Sequence, residues 1–157
     1  MKKRSLGKTG VEISEVGLGC WQLGGADWGD VSEDLALEIL NAAAEAGVTF
    51  FDAADVYGDG RSEEMIGKFL KGRASGEALF VATKLGRSAD LYPDKYTEAG
   101  VRAAIEASLR RLGVDVLDLI QLHCVPEEVL RQGDVFEWLR ALQDEGKVRH
   151  FGASVET

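Results

Sequence analysis

Hydrophobic positions follow two alternating spacings along most of this 157-residue chain. Short, nearly continuous runs of β-branched and aliphatic residues are typical of parallel strands that are covered on both faces. Such runs occur at residues 16–19, 48–51, 79–82, 116–122 and 148–153. These five runs therefore predict five strands.

Between these runs, apolar residues recur every three or four positions, which predicts amphipathic helices. The longest stripe runs from Val101 to Leu112, and shorter stripes cover residues 35–46, 66–70 and 135–142. Ser62 and Thr97 are predicted N-caps of two of these helices. Predicted helix ends lie at Gly47, Gly72, Gly113 and Gly146. Residues 4–13 read as a small hairpin that turns at Gly7 or Gly10.

Strict alternation of strand and helix predicts an α/β fold with a parallel sheet. Either an open, doubly wound sheet or part of an eightfold βα barrel fits this order. A dinucleotide-binding doubly wound sheet carries Gly-x-Gly-x-x-Gly at its first turn. Here Trp21 and Leu23 interrupt the glycines of residues 17–25, and no helix begins at once. The missing fingerprint favours the barrel, whose interior we expect to receive Leu18, Phe50 and Val81.

Composition and charge argue against several classes of function. The formal net charge is −9, without a basic cluster, which argues against binding to nucleic acid or to an anionic membrane surface. No run approaches the roughly 18 apolar residues of a membrane span, and the basic start lacks an apolar continuation. We expect a cytoplasmic protein in which Cys20 and Cys124 are reduced thiols.

Polar residues occur where the predicted strands end. Asp52, Lys84, His123 and Ser154 follow successive strands, each about one βα unit apart, and Tyr57 lies in the loop after Asp52. In βα barrels the carboxyl ends of the strands share one mouth, where the chemistry takes place. The spacing therefore predicts that these side chains meet at one rim.

Together these residue types can deliver a proton to a carbonyl oxygen. A tyrosine hydroxyl is ordinarily a weak acid, but a lysine ammonium about 4 Å away favours the phenolate by roughly 4 kcal/mol. In this interpretation Asp52 orients Lys84, Tyr57 donates the proton, and His123 donates a hydrogen bond to the same oxygen. No side chain in the group supplies a hydride, so a nicotinamide cofactor is implied.

Several longer motifs carry a family resemblance. They are residues 17–21 (GLGCW), 51–58 (FDAADVYG), 61–64 (RSEE), 83–84 (TK), 118–123 (DLIQLH) and 146–154 (GKVRHFGAS). In this order, across the whole chain, they resemble the aldo-keto reductases. The resemblance implies a parallel (β/α)8 TIM-type barrel, of which residues 1–157 are one partial domain with about five strands, four helices and an N-terminal hairpin.

The resemblance also implies the site and its chemistry. Asp52, Tyr57, Lys84 and His123 match the catalytic residues of the family. Gly19, Cys20, Trp21, Asp52 and Ser154 match its cofactor-binding positions, and no metal is implied. The family favours NADPH (the reduced form of NADP) and reduces aldehydes and ketones, so the expected partner is a small carbonyl substrate.

Two departures from the family pattern qualify these expectations. Val155 stands where relatives often have an asparagine that contacts the carboxamide. The chain also ends after the fifth predicted strand, so the C-terminal part of the barrel, with the phosphate-binding residues, is expected to be absent. We therefore expect the 157-residue chain to be weakly active or inactive, and to self-associate through open barrel edges or to aggregate.

Two alternative functions stay open at this stage. One is a non-catalytic binding or regulatory protein on the same fold. The other is a metal-dependent hydrolase with Asp52, Asp55 and His123 as ligands. Lys84 and Tyr57 argue against this alternative, because neither side chain would have a role beside a bound cation.

Overall fold

A computed structural model describes residues 1–25, 29–73 and 78–155 of the chain. Its strands are β1 (Lys3–Ser5), β2 (Glu12–Ser14), β3 (Leu18–Gly19), β4 (Phe50–Asp52), β5 (Phe80–Leu85), β6 (Leu117–His123) and β7 (Val148–Ser154). Its α-helices are α1 (Glu33–Glu45), α2 (Arg61–Lys71), α3 (Glu98–Leu112), α4 (Glu127–Gln132) and α5 (Asp134–Asp144), and a short 3-10 helix covers Trp21–Gly24. None of the helices in the described residues is long and apolar enough to cross a membrane.

The strands form two sheets. β1 and β2 pair antiparallel as the predicted hairpin, while β3 to β7 form one parallel sheet in simple chain order. A doubly wound sheet would reverse its strand order at a switch point, whereas a barrel adds each strand next to the preceding one. The order without a reversal therefore agrees with an arc of a βα barrel.

The helix boundaries confirm part of the prediction and correct the rest. Thr97 is the N-cap of α3, where its hydroxyl accepts a hydrogen bond from the Gly100 amide. Ser62 is not an N-cap, because α2 begins one residue earlier and is capped by Gly60, in the left-handed region. The additional helix α4 was not predicted, because its six residues bury no side chain.

The packed core lies between the sheet and the helices. Phe51 is fully buried, and its ring packs against Phe69 of α2. Leu18 and Val81 are the register partners of Phe51, so they lie on the same, helix-covered face. The prediction that these two residues point into the barrel is wrong, because the two-residue alternation of the strands puts them on the other side.

The opposite face of the sheet carries Phe50, as predicted. Its ring stacks on Phe80 at a centroid distance of 5.8 Å, and Phe80 in turn stacks on His150 at 6.5 Å. Asp52 follows Phe50 by two residues and therefore shares this face. We call it the open face, because none of the described helices packs against it as α2 does against Phe51.

Candidate active site

The predicted strand-end residues gather at the carboxyl edge of the parallel sheet. Asp52 is the last residue of β4, Lys84 the penultimate residue of β5, and His123 and Ser154 are the last residues of β6 and β7. His123 and Ser154 are register partners. Four successive strands, β4 to β7, thus place one polar side chain after another along a single rim.

Lys84 is the centre of this group. The side chain is buried, and its Nζ donates to Asp52 Oδ1 at 2.5 Å, to the Ala53 carbonyl at 2.9 Å and to the Tyr57 hydroxyl at 3.3 Å. Three acceptors use all three ammonium hydrogens, so the orientation of the group is fixed. The Asp52 carboxylate balances the buried charge, which would otherwise be costly.

The Tyr57 ring is held between two other rings. Trp21 stacks on it at a centroid distance of 5.8 Å, and His123 meets it edge-on at 6.0 Å. Trp21 itself is half exposed. The Tyr57 hydroxyl is therefore fixed beside Lys84 and His123, while the surrounding aromatic surface remains open to a ligand.

Close backbone packing positions the loop that carries Tyr57. Gly24 of the 3-10 helix lies against this loop so tightly that a Cβ on Gly24 would stand 2.6 Å from the Gly58 nitrogen. Gly58 is in the left-handed region, at φ 61°. Ser62 ties the same elements together, since its hydroxyl donates to the Cys20 carbonyl and its amide to the Tyr57 carbonyl. This tie, rather than helix capping, is the role of Ser62.

A buried ionic network supports the rim from below. Glu63 is fully buried on α2, where it accepts hydrogen bonds from Thr83 of β5 and Arg111 of α3, both at 2.6 Å. A buried carboxylate requires such complete pairing. The network fixes α2 and α3 to the strand that carries Lys84.

The cofactor positions implied by the sequence surround the same rim. An exposed Gly19 ends β3, and a Cβ there would meet nothing within 4 Å, so the space above it is open. The Cys20 side chain is fully buried, and its amide and carbonyl bind Asp52 and Ser62. Burial, with the nearby Asp52 charge, raises the pKa of the Cys20 thiol to about 12, so this thiol is unreactive. A contact of Cys20 with a cofactor stays a prediction.

A cavity of about 550 Å³ opens beside the Tyr57 hydroxyl. Its lining comprises Trp21, Val56, Tyr57, Arg87, His123, Cys124, Ser154 and Val155. We call it the rim cavity. Its size suits a small ligand, and it brings the predicted proton donor, His123 and Ser154 to one space.

Two features of the rim were not identified from the sequence: the environment of Asp55 and the position of Arg87. Asp55 is partly buried, and its Oδ1, which is itself buried, has no hydrogen-bond partner in the described residues. Burial, and then the nearby Glu63 charge, raise the pKa of Asp55 to about 7. Arg87 lines the rim cavity three residues after Lys84. The sequence does contain a signal for Arg87, because this residue lies in the loop directly after the strand that carries Lys84.

The metal ligands of the hydrolase alternative do not come together. Within residues 1–25, 29–73 and 78–155, no group of three or more histidine, cysteine or carboxylate side chains is arranged to hold a metal ion. Asp52 is instead committed to Lys84, and Asp55 is buried apart from it. The geometry gives the hydrolase alternative no support.

Comparison with known proteins agrees with the motifs. Residues 15–157 match the model of the aldo/keto reductase family. The chain is 35% identical over 157 residues to the aldo-keto reductase YhdN of Bacillus subtilis, a match that covers 98% of this chain and 47% of that protein. It is 36% identical over 152 residues to the L-galactose dehydrogenase of Arabidopsis thaliana, covering 95% of this chain and 47% of the relative.

A solved structure gives the same result for the fold. The holo form of the aldo-keto reductase AKR11C1 from Bacillus halodurans superposes with a TM-score of 0.83 at 34% identity, over 99% of this chain and 50% of the other. The chain thus spans about half the length of the relatives that it matches. Because the family model covers most of its length, the chain belongs to the aldo/keto reductase family, and its parallel sheet is part of a (β/α)8 barrel.

Proposed function

We propose that this chain carries the proton-delivering part of a nicotinamide-dependent carbonyl reductase that converts an aldehyde or ketone to an alcohol. The observation that carries the proposal is the contact of Lys84 Nζ with both Asp52 and the Tyr57 hydroxyl. A hydroxyl next to a fixed ammonium is a good proton donor, since the charge stabilises the phenolate that remains after transfer.

The cavity supports a specific arrangement of the reacting carbonyl. The carbonyl oxygen would lie in the rim cavity between the Tyr57 hydroxyl and the His123 ring, which both line it. Tyr57 gives its proton to this oxygen, and His123 donates a hydrogen bond that fixes its position. Lys84 holds the resulting phenolate, and Asp52 keeps Lys84 charged and aligned.

The rim also fits a nicotinamide cofactor, for which NADPH is our proposal. Gly19 leaves open space at the edge of the sheet, and Ser154 lines the rim cavity beside His123. These residues, with Trp21 and the backbone near Cys20, would hold the nicotinamide end. When bound, this group supplies the hydride that the side chains lack.

The direction of the reaction follows from the concentrations of the reactants. The relative from Arabidopsis is called a dehydrogenase, and the same residues serve oxidation when they act in reverse. In that direction the Tyr57 phenolate beside Lys84 would accept the alcohol proton, and an oxidised nicotinamide held at the same rim would supply the acceptor for the hydride. One proton site therefore supports both directions.

A paired binding and turnover assay tests the proposal. We expect NADPH titration of the purified chain to change its tryptophan fluorescence saturably, and aromatic aldehydes to be reduced only slowly, with matching consumption of NADPH. Saturable binding without turnover of any carbonyl would favour the non-catalytic binding or regulatory alternative. Absence of both would contradict a nicotinamide site on these residues.

A further inference from the structure

The arginines of this chain differ in whether their guanidinium groups donate hydrogen bonds to a protein oxygen. Most of those in the described residues donate to a carboxylate or another oxygen, as Arg111 does to Glu63 and Arg149 does to Asp118. Arg87, Arg110 and Arg140 form no hydrogen bond or ion pair with the part of the chain that the structure describes. Of these three, Arg87 alone lines the rim cavity.

The loop backbone that presents Arg87 is anchored on both sides. Gly86 has φ 117°, and a Cβ there would come within 2.7 Å of the Val125 side chain. The Tyr96 hydroxyl donates to the Gly86 carbonyl at 2.6 Å. Because this backbone is already fixed, ligand binding has to order only the exposed Arg87 side chain and not the loop.

Arg87 differs in charge from the other residues that line the rim cavity. It is the one permanently charged side chain among the described residues of the lining, which are otherwise aromatic, aliphatic or neutral polar. The Lys84 charge below is already balanced by Asp52. A guanidinium offers paired donors that match a carboxylate or phosphate, and such contacts are strong where water is partly excluded.

Acidic residues on the other side of Arg87 do not neutralise it. A second cavity of about 520 Å³ adjoins Arg87 and is bordered by Asp55, Asp59 and Asp90. Each of these carboxylates lies beyond the 4.0 Å of an ion pair with the Arg87 guanidinium. The guanidinium therefore remains available to an anion in the rim cavity.

We propose that Arg87 is a specificity-determining residue that selects carbonyl substrates carrying an anionic group, a carboxylate or a phosphate. The rings of Trp21 and Tyr57 would cover the body of such a substrate, and its carbonyl would reach Tyr57 and His123. The identity of the ligand as a carbonyl substrate rests on the proposed function, but the contact between Arg87 and an anion does not.

Matched aldehydes test the substrate class. In the full chain, kcat/KM is compared for para-formylbenzoate and for its neutral methyl ester, in wild type, Arg87→Gln and Arg140→Gln. We expect Arg87→Gln to lower kcat/KM for the carboxylate about tenfold, and to change it less than twofold for the ester. Arg140 is the control, because it is an exposed arginine on α5 without a partner in the described residues. Equal effects of Arg87→Gln on both aldehydes would overturn the proposal.

A binding measurement separates this inference from the proposed function. Calorimetry with para-(hydroxymethyl)benzoate and its methyl ester requires no turnover. We expect the wild type to bind the carboxylate more tightly, with a preference that falls as salt is added and is lost in Arg87→Gln. If the carboxylate preference depends on Arg87 but neither aldehyde is reduced, the anion contact stands and the reductase proposal fails. Equal affinity of the wild type for acid and ester would refute the anion contact itself.

Discussion

At the residue scale, the site depends on a few buried polar atoms whose partners are fixed. Lys84 satisfies all its hydrogens with Asp52, Ala53 and Tyr57, so its geometry leaves little freedom. Asp55, two residues before Tyr57, is in the opposite situation, because one of its buried oxygens has no partner in the described residues. The fixed geometry of Lys84 suits proton transfer, whereas the environment of Asp55 makes the free energy of unfolding depend on pH.

Tyr57→Phe separates proton donation from packing. We expect carbonyl turnover to fall by about a hundredfold or more, because the acid is lost. NADPH affinity should stay close to that of the wild type, since the phenyl ring can still stack on Trp21. Tyr92→Phe, at an exposed tyrosine that does not line the rim cavity, is the control. If the Tyr57→Phe protein kept a tenth of wild-type turnover, Tyr57 would not be the acid.

Asp55→Asn should change how stability depends on pH. The pKa of Asp55 is raised from its ordinary 3.8 to about 7, so the folded state binds this proton more tightly than the unfolded chain does. The free energy of unfolding therefore falls as the pH rises through that interval. The neutral variant escapes this loss.

We expect Asp55→Asn to be close to the wild type in stability near pH 4, and more stable by about 4 kcal/mol at pH 8. Denaturant unfolding across this pH range measures the difference. Asp94→Asn, at an exposed aspartate, should show no comparable change with pH. A constant difference between Asp55→Asn and wild type at all pH values would mean that Asp55 is not held protonated.

At the scale of elements, two glycine backbones in contact set the position of the loop that carries Tyr57. The 3-10 helix and this loop approach through Gly24 and Gly58, and Ser62 fastens α2 to the same place. The buried Glu63 then connects α2 to β5 and α3. The hydroxyl of Tyr57 is thus positioned in part by the 3-10 helix and by α2, neither of which carries one of the four proposed catalytic residues.

Gly24→Ala tests this positioning. The added methyl would stand 2.6 Å from the Gly58 nitrogen and 2.7 Å from the Tyr57 carbonyl carbon, so the loop must move. We expect a loss of about 1–3 kcal/mol in the free energy of unfolding, and turnover lowered at least tenfold. Gly152→Ala is the control, because a Cβ there meets nothing within 4 Å. Wild-type kinetics in Gly24→Ala would show that the contact does not position Tyr57.

At the scale of the whole molecule, the sheet has one covered face and one open face. On the open face Phe50 and His150 are partly exposed, and both stack on the buried Phe80. Each 100 Å² of apolar surface left in water forgoes about 2.5 kcal/mol. The outer strands β3 and β7 also lack a further strand partner within the described residues. Surfaces of this kind favour association.

We expect the polypeptide of residues 1–157, studied by itself, to self-associate with increasing concentration. Sedimentation measures its mass, and Phe50→Lys should weaken association by placing a charge on the open face. Leu35→Lys, at an exposed leucine on α1, should leave association unchanged. A stable monomer at all concentrations would contradict the expectation.

The sequence by itself determined the alternation of strands and helices, apart from α4, and the residues that meet at the rim. Apolar spacing distinguished strands from helices, and intervals of one βα unit placed Asp52, Lys84, His123 and Ser154 at the same edge. These properties are local, because they follow from two backbone periods and from the direction of parallel strands. The motifs added the family, which the comparisons confirm.

Only the tertiary structure decided which face of each strand is covered and what surrounds each polar group. Alternation predicts that Phe50 and Phe51 point to opposite sides, but the position of α2 decides that Phe51 is the buried one. The pKa of Asp55 and the availability of Arg87 likewise depend on neighbours from distant parts of the chain. Burial and charge pairing are sums over three-dimensional neighbours, so no local pattern contains them.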